Sequence, residues 1–453
     1  MGAQHLGGHP LVSGQRRVLV LFPDEWDLAA AADPRIAARY AFRFAGFDLF
    51  RFPGNLRLFT FDALAFVDRL AARYARDGVD AVTSSDEQFG PFTAALLAQR
   101  LGLPHPPVQA VVGIQHKLEA RRLFDRIAPE ANLRHGLLRR DFRAASDVPL
   151  PFPFYVKPVK AAFSVLARRV DSFAELGRHA AFGMLERAII ERLVRPFADV
   201  MRAHTDFRED PLAMVCEEIA RGPQVTVNGY VRRGKAVLLG TVDSVMYPGT
   251  DHFQRFQYPS ALPPEALARA EALALRVIEG AGFGHGMFNV EMRIDPASGE
   301  PRLIEINPRA AGQFYDLFER VDGYSLFEAL LELECGGEPA IRRGAGPDKV
   351  AASFVLRDFA GSGLARMPSA GEIERLRARH PGTRLMVYAK RGADLAREMK
   401  WLGSYRYAVF NVAGAGQDEV LARFAALCRD IDFHPRGGAR LGDEPVPAAV
   451  LGD

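Results

Sequence analysis

The stretch RLIEINPRAAGQFYD, residues 302–316, decides how this sequence is interpreted. A short apolar strand runs into Glu305, and Asn307, Pro308 and Arg309 follow at once. A carboxylate, an amide and a guanidinium so close together would be costly to bury without partners. Oxygen ligands suit a hard divalent cation, and a guanidinium suits a phosphate. The stretch therefore predicts a site that holds a metal ion and a phosphoryl group.

A second acid lies on the strand that precedes this one. Segments 288–295 and 301–307 predict two antiparallel strands joined by the short turn PASGE. Residues on one face of such a pair can lie opposite one another, which would bring Glu291 and Glu305 together. Because two carboxylates repel without a cation, Glu291, Glu305 and Asn307 predict a Mg²⁺ site, which Mn²⁺ can also occupy. The alternative interpretation is a solvated strand face.

Two lysines and a turn are further candidates for contact with an anion. Lys157 lies near the end of the mostly apolar strand predicted at 152–158, and Lys117 opens the helix predicted at 116–128. A single lysine is more often simply solvated, so each gains weight only from its neighbours. The turn AAFS, residues 161–164, combines small residues with one hydroxyl and could cover a phosphate, although it contains no glycine.

The segment CEEIARGPQVTVNG, residues 216–229, predicts a strand, a turn and a second strand. The turn at 220–223 would expose backbone N–H and C=O groups. Such groups can bind the edge of a purine without any particular side chain. An ordinary connection between two strands explains the segment equally well.

Composition excludes several classes of protein. A chain of 453 residues with 25% charged residues predicts two or three globular domains. A net charge of +3 without a nucleic-acid motif argues against a nucleic-acid partner. Cys216, Cys335 and Cys428 are far apart, which argues against disulfides and zinc. The sequence shows no signal peptide and no long apolar run, so we expect no membrane span and a cytoplasmic location.

Strands alternate with helices in the first part of the chain, which predicts a small parallel α/β unit. The predicted strands are 16–22, 47–52 and 79–85, and the predicted helices are 61–78 and 90–104. No GxGxxG follows the first strand, so no dinucleotide is assigned. The Pro-rich stretch 104–115 is interpreted as a boundary.

Short strands and a long hairpin dominate the middle of the chain, and the pattern restarts near residue 341. Further strands are predicted at 164–170 and 214–220, a hairpin at 225–247, and a helix at 263–282. Near the C-terminus, Ser369 and Glu372 predict a helix cap, followed by strands at 384–390 and 405–414 and a helix at 417–431.

The order of these pieces resembles one known superfamily. Lys117, Lys157, CEEIARGPQ, NVEM and EINPR follow one another as in the ATP-grasp superfamily, and the resemblance covers residues 16–435. The chain is similar to carboxylate–amine ligases such as bacterial L-amino acid ligases, and more distantly to biotin carboxylase and D-alanine–D-alanine ligase.

The resemblance implies a mixed α/β and α+β architecture. After a loose tail at 1–15, it implies a Rossmann-like domain at 16–112, a two-lobed ATP-grasp domain at 113–340 and a small α+β domain at 341–453. The lid that closes on the nucleotide is expected at about 151–215.

Carried over to matching positions, the resemblance also implies contacts with ATP. Lys117, Lys157 and Ser164 would contact phosphates. The adenine base would be held at a hinge formed by Glu217, Glu218, Ile219 and Ala220. Gln224 stands where the family usually has a glutamate for the ribose hydroxyls, and its amide can still bind a hydroxyl.

The implied reaction forms an amide in two steps. ATP would phosphorylate a carboxylate, and an amine would then displace the phosphate. Glu291, Glu305 and Asn307 would hold Mg²⁺, and Arg309 would stabilise the transferring phosphoryl group. Two alternatives remain: an ATP-dependent carboxylase or phosphotransferase with the same clamp, and an ATP-binding regulatory module without turnover.

The substrates are expected to be small carboxylates and amines, in particular amino acids, and the family suggests a homodimer. The loop predicted at 247–258 contributes His252 and Arg255 as substrate candidates. His285 lies beside the predicted metal strand, where a structural role is the alternative. Gly312 and Gln313 follow the Arg309 loop.

Overall fold

The computed structural model describes residues 14–49, 54–160, 166–388, 395–396, 398–399 and 402–436. The turn predicted at 161–164, with its candidate Ser164, lies outside the described residues.

The described residues form strands, α-helices and short 3₁₀ helices. The strands are β1 (Arg16–Leu21), β2 (Tyr40–Ala45), β3 (Ala81–Thr83), β4 (His135–Leu138), β5 (Phe154–Pro158), β6 (Arg168–Val170), β7 (Met214–Glu217), β8 (Gln224–Arg232), β9 (Lys235–Met246), β10 (Phe253–Tyr258), β11 (Gly286–Ile294), β12 (Pro301–Asn307), β13 (Val350–Asp358), β14 (Leu364–Arg366), β15 (Arg384–Val387), β16 (Tyr405–Gly414) and β17 (His434–Pro435). The α-helices are α1 (Glu25–Ala31), α2 (Pro34–Ala37), α3 (Ala63–Asp77), α4 (Gly90–Leu101), α5 (Val108–Gln115), α6 (Lys117–Ile127), α7 (Phe173–His179), α8 (Met184–His204), α9 (Pro264–Gly280), α10 (Tyr315–Asp322), α11 (Leu326–Glu334), α12 (Ala370–Arg379) and α13 (Gln417–Asp430). The 3₁₀ helices are Gly54–Thr60, Pro129–Ala131, Ala145–Asp147 and Gly312–Phe314.

The N-terminal part is the parallel α/β unit that the sequence predicts, with strand order β2-β1-β3. The predicted strand at 47–52 is wrong for residues 47–49, because the second strand is β2, seven residues earlier in the chain; residues 50–52 lie outside the described part of the chain. Gly46 ends β2 at φ +108°, and a Cβ there would meet the Phe22 ring at 2.6 Å. Phe47 instead packs edge-on against Phe22, so its apolar character serves an aromatic cluster and not a strand.

The Pro-rich stretch at 104–115 is largely helical. Residues 108–115 form α5, whose Val108, Val111, Val112 and Ile114 are buried in the main core. These eight residues are therefore part of the core, because four aliphatic side chains at helical spacing pack inward. The domain limits themselves stay predictions.

A four-stranded sheet of order β4-β7-β5-β6 forms one lobe of the central region. The 21-residue helix α8 follows β6 and α7 in the chain. Residues 168–170 alone of the strand predicted at 164–170 are described as strand. The lobe also includes β4, which precedes the lid range predicted at 151–215.

The other lobe is an antiparallel sheet of eight strands in the order β12-β11-β8-β9-β10-β13-β16-β15. The hairpin predicted at 225–247 is confirmed as β8 and β9, which turn at Arg233 and Gly234, both with positive φ. The 247–258 segment is not simply a loop, because Phe253–Tyr258 pairs with β9 and β13 as β10. Strands from the C-terminal part thus extend the sheet that carries Glu291.

Helices cover the sheet, and apolar side chains fill the space between the layers. One large cluster joins α4, α5, α6 and α9 to β8, β11 and β12, and a second joins β1, α10 and α11 to the same sheet. The three cysteines are free, as predicted. Across the part of the chain that the structure describes, every helix is too short or too polar to cross a membrane.

Candidate active site

The predicted carboxylate pair lies at the edge of the eight-stranded sheet. In the register of β11 and β12, Glu291 lies directly opposite Glu305, and Asn289 lies opposite Asn307. The Asn307 amide donates to Asn289 Oδ1 at 3.0 Å and to Glu291 Oε1 at 3.1 Å. Gln224 Nε2 donates to the other oxygen of Glu291 at 2.9 Å. The strand pair therefore brings all three predicted metal ligands to one face.

The two carboxylates carry different charges because their neighbours differ. Burial raises the pKa of Glu291 to about 8, and the negative charges of Glu305 and Glu87 add to the effect. Lys117 Nζ lies 2.8 Å from Glu305 Oε2. Burial alone would raise the pKa of Glu305, but the charges of Lys117 and Lys157 outweigh it and lower that pKa to about 2. The pKa values of the two carboxyl groups are therefore shifted in opposite directions, and Glu291 is the more basic of the pair.

This arrangement fits a divalent cation. Two opposed, half-buried carboxylates and an amide oxygen are hard ligands, and a cation between them would offset the repulsion between the two acids. Within the described ranges, no three His, Cys, Asp or Glu side chains come together as a metal-binding group. Such a cation would therefore take its remaining oxygens from phosphate or water, as Mg²⁺ commonly does.

We expect the metal-free protein to lose stability as the pH rises from the ordinary glutamate value of 4.5 through about 8. In this window the folded chain keeps a proton on Glu291 that the unfolded chain releases, so rising pH favours unfolding. Glu291→Gln keeps the neutral form at every pH. Urea unfolding of both proteins at several pH values measures the effect, and the loss of stability should be smaller in the variant. Parallel pH profiles would refute the raised pKa.

A cavity of about 400 Å³ adjoins this edge of the sheet. It is lined by polar side chains that include Lys117, Lys157, Lys160, Glu217 and Glu305. Both predicted lysines therefore lie around one cavity with Glu305, and their contact with phosphates stays a prediction. A cavity with three lysines beside two opposed glutamates is suited to a polyanion that arrives together with a cation.

Lys157 is fixed by a buried ion-pair network. Its Nζ lies 2.8 Å from Glu217 Oε2, and Arg121 binds the same carboxylate with Nε at 2.8 Å and Nη2 at 2.9 Å. Burial opposes ionisation of Glu217, yet Arg121 and Lys157 lower its pKa to about 2. Burial lowers the pKa of Lys157, and the charge of Glu217 opposes that shift.

Arg309 follows the predicted metal ligand Asn307 by two residues. Its Nη2 lies 2.9 Å from Glu87 Oε2, in the loop that follows β3. Its buried Nε has no hydrogen-bond partner within the described part of the chain. Arg309 also borders a second cavity of about 410 Å³, together with Ser84 and Glu334. One donor of the guanidinium is thus held while another remains available to a ligand.

The predicted adenine hinge follows β7. The Glu217 side chain is engaged by Arg121 and Lys157, while Glu218 accepts from Arg134 Nε and Arg302 Nη2, both at 2.7 Å. Both acids therefore fix the strand end, where the Glu218 N–H also donates to the Arg134 carbonyl oxygen at 2.8 Å, and the adenine contact stays a prediction. Ile219 and Ala220, the next two residues, are half-buried.

Gln224 lies beside the metal ligands, because its amide donates to Glu291. A glutamate at this position would place another carboxylate against Glu291, whose pKa is already raised by burial and by neighbouring acids. Glutamine avoids that repulsion and supplies a donor instead. The hydrogen bond to Glu291 does not test the predicted contact of Gln224 with the ribose, which stays a prediction.

Two substrate candidates lie next to the Arg309 loop. Gly312 begins a 3₁₀ turn, and a Cβ there would approach the Trp26 Cβ to 3.0 Å. Gln313 Nε2 donates to Ser353 Oγ at 2.8 Å. The turn therefore links the N-terminal unit to the C-terminal strands, directly after the phosphate-binding candidate Arg309.

Arg255 lies on the opposite face of the sheet from Glu291. Gln224, which bonds Glu291, pairs with Ser244, and Ser244 pairs with Phe256. Because side chains alternate along β10, Arg255 points away from that face. It is not carried into the proposal below.

The two histidine candidates also lie apart from the metal ligands. His252 Nε2 lies 2.5 Å from the carbonyl oxygen of Leu402, and burial lowers its pKa. His285 Nε2 lies 3.6 Å from Glu334 Oε2, at the start of β11 and roughly 20 Å along the strand from Glu291. Each histidine thus has a contact remote from the metal ligands, and its predicted role at the substrate stays a prediction.

Glu87, Lys160 and Arg121 were missed by the sequence interpretation. Each left a signal: Glu87 lies in SSDEQ just after a buried strand, and Lys160 is a second charge in the mostly apolar run FYVKPVKAAF. Arg121 lies three residues from both Leu118 and Phe124, on the buried face of α6. A charge on an apolar face needs a buried partner.

Comparisons with known proteins agree with this geometry. Residues 150–316 match the ATP-grasp domain family. Carnosine synthase 1 of Homo sapiens is 32% identical over 353 residues, which are 74% of this chain and 40% of that protein. Carnosine synthase 1 of Gallus gallus is 29% identical over 265 residues, 54% of this chain and 26% of that protein. The chain spans less than half the length of these curated relatives.

Solved structures show the same fold. The L-amino acid ligase from Bacillus licheniformis superposes with a TM-score of 0.64 at 16% identity, over 93% of this chain and 99% of that one. A carboxyaminoimidazole ribonucleotide synthase from Aspergillus clavatus, complexed with ATP, gives a TM-score of 0.64 at 15% identity, over 92% and 98%. Identities this low speak for the fold alone, and they confirm the predicted ATP-grasp architecture.

Proposed function

We propose that this chain, which contains an ATP-grasp domain, is an ATP-dependent ligase that joins a carboxylate to an amine. The observation that carries the proposal is the direct opposition of Glu291 and Glu305 beside a cavity lined by three lysines. Such a site holds a nucleoside triphosphate through its charge. Similarity to carnosine synthases and to an L-amino acid ligase supports amide formation as the use of that triphosphate.

In the first step, an oxygen of the substrate carboxylate attacks the terminal phosphorus of ATP. The bond from that phosphorus to the ADP oxygen breaks, which gives an acyl phosphate and ADP. Mg²⁺ bound by Glu291, Glu305 and Asn307 would neutralise phosphate charge. Lys117 and Lys157 orient the phosphates, and Arg309 stabilises the transferring group with the donors that Glu87 leaves available.

In the second step, the amine nitrogen attacks the acyl carbon and the bond from that carbon to the phosphate oxygen breaks. Inorganic phosphate leaves, and the nitrogen loses a proton to give a neutral amide. Arg309 stabilises the oxyanion of the tetrahedral intermediate. Water must be kept out because it would hydrolyse the acyl phosphate, and we propose that the segment at about 151–215 closes as a lid.

The substrates are proposed to be amino acids or related small molecules, because one protein of the same fold is named an L-amino acid ligase. We propose Mg²⁺ as the cation. We also propose that the protein acts in the cytoplasm, without a nucleic-acid or membrane partner. The predicted homodimer stays a prediction, and light scattering at assay concentration would test it.

Phosphate release from Mg-ATP in a matrix of amino acids, offered singly and in pairs, tests the proposed reaction. We expect release in wells that contain one particular pair, with a product lighter than that pair by one water. Mass spectrometry of those wells identifies both substrates, and Glu305→Gln provides the matched inactive control.

Other outcomes would replace the proposal. Phosphate release that needs bicarbonate and no amine would indicate a carboxylase. ATP binding by thermal shift with no release from any pair would favour a carrier-bound substrate or a regulatory module.

A further inference from the structure

We infer that Lys160 binds the terminal phosphoryl group of the nucleoside triphosphate and makes the site select the triphosphate over the diphosphate. The inference rests on the proposed function and deepens it. No motif used to assign the other nucleotide contacts includes this residue. The argument depends on what surrounds its ammonium group.

Lys160 is buried with few partners. It is 3% exposed, and its Nζ reaches a single hydrogen-bond acceptor within the described residues, the Glu87 carbonyl oxygen at 3.4 Å. The aromatic ring of Phe197 lies beneath the ammonium, 5.2 Å from Nζ to the centroid. An ammonium can donate three hydrogen bonds, so most of this capacity remains for a ligand.

The two neighbouring lysines differ in this respect. Lys117 and Lys157 each have a carboxylate oxygen at 2.8 Å, from Glu305 and Glu217. Lys160 lines the same cavity but makes no ion pair within the part of the chain described. A buried ammonium without a counter-ion is costly, and an anionic ligand would remove that cost.

The electrostatic surroundings agree with this. Burial and the charge of Lys117 lower the pKa of Lys160 to about 7, against the opposing influence of Glu87, Asp86 and Glu305. These surroundings therefore disfavour the protonated form of Lys160, and a bound anion would favour it. A terminal phosphoryl group is such an anion.

Position distinguishes the terminal phosphoryl group from the rest of the nucleotide. Glu87 joins the two cations, because its carbonyl accepts from Lys160 and its carboxylate binds Arg309. Lys157 instead belongs with Glu217 and Arg121, at the hinge end of the cavity. Lys160 thus lies at the end where phosphoryl transfer is proposed.

The test compares ATP with ADP. Titration calorimetry with Mg-ATP and Mg-ADP is carried out on the wild type, Lys160→Met and Lys160→Arg. Loss of one charge-assisted hydrogen bond should weaken ATP binding by Lys160→Met by about 10- to 100-fold. ADP binding should change less than about twofold, and Lys160→Arg should recover much of the ATP affinity.

Thermal unfolding gives an independent readout. Without nucleotide, Lys160→Met should melt at a higher temperature than the wild type, because a buried charge with little compensation is removed. Saturating Mg-ATP should reverse the order. Lys235→Met, at the exposed start of β9, is the matched control and should behave as the wild type in both conditions.

Three results would overturn the inference. Equal losses for ATP and ADP would make Lys160 a general electrostatic or structural residue. Unchanged ATP affinity in Lys160→Met would remove it from the site while leaving the proposed function intact. Failure of the wild type to bind ATP at all would end both proposals.

Discussion

Arg309→Met is expected to lower kcat by about 10³-fold or more, while ATP affinity changes far less. The guanidinium is held by Glu87 on one side and has a buried donor free of partners in the described structure. Its interactions are proposed to strengthen as charge develops on the transferring phosphoryl group and on the tetrahedral intermediate. Single-turnover ADP formation and steady-state amide formation, measured with the pair found in the substrate matrix, separate the two steps.

Arg309→Lys is the control for this prediction. It keeps the positive charge but loses the planar pair of donors, so its activity should lie between those of the wild type and Arg309→Met. Retention of most of the wild-type kcat by Arg309→Met, with a normal melting temperature, would contradict the role of Arg309.

Arg121→Met is expected to lower the free energy of unfolding by about 3–5 kcal/mol, the cost of breaking a buried ion pair. Arg121 is 1% exposed, and its Nη1 also donates to Asn132 Oδ1 at 3.0 Å and to the Leu303 carbonyl at 2.8 Å. The variant leaves Glu217 with Lys157 as its remaining cation and removes the Arg121 donor from two carbonyl oxygens of β12, those of Leu303 and Ile304. Urea unfolding monitored by circular dichroism measures the change.

Arg276→Met is the matched control, because Arg276 forms a solvent-exposed ion pair with Glu130 on the surface. Exposed pairs contribute about 0–1 kcal/mol, so this variant should unfold almost as the wild type does. Similar losses in the two variants would show that burial does not set the value of the Arg121 contacts.

The hairpin that carries the metal ligands could be predicted because its signal is local. Two apolar strands joined by a five-residue turn allow one antiparallel pairing, and the period of two along a strand places Glu305 and Asn307 on one face. The order of the motifs further predicts that Lys117 and Lys157 contact the phosphates of the same nucleotide. The two glutamates and Asn307 lie near one another in sequence, and the two lysines belong to a recognisable order of motifs.

The remaining site residues depend on contacts between distant segments. Lys160 and Arg309 meet through Glu87, which lies more than seventy residues from the first and more than two hundred from the second. Such contacts follow from how the N-terminal unit packs on the large sheet, and no local pattern encodes them. The second strand is misplaced because it also depends on a contact between distant segments. Phe47 is apolar, as a strand residue would be, but its ring packs in an aromatic cluster.

The proposed reaction depends on activation of the carboxylate as an acyl phosphate. The most direct measurement uses a carboxylate substrate labelled with heavy oxygen and determines the isotopic mass of the released phosphate. We expect one labelled oxygen in each phosphate, because the carboxylate oxygen that attacks ATP leaves with the phosphorus. Unlabelled phosphate, or label found in AMP, would contradict it.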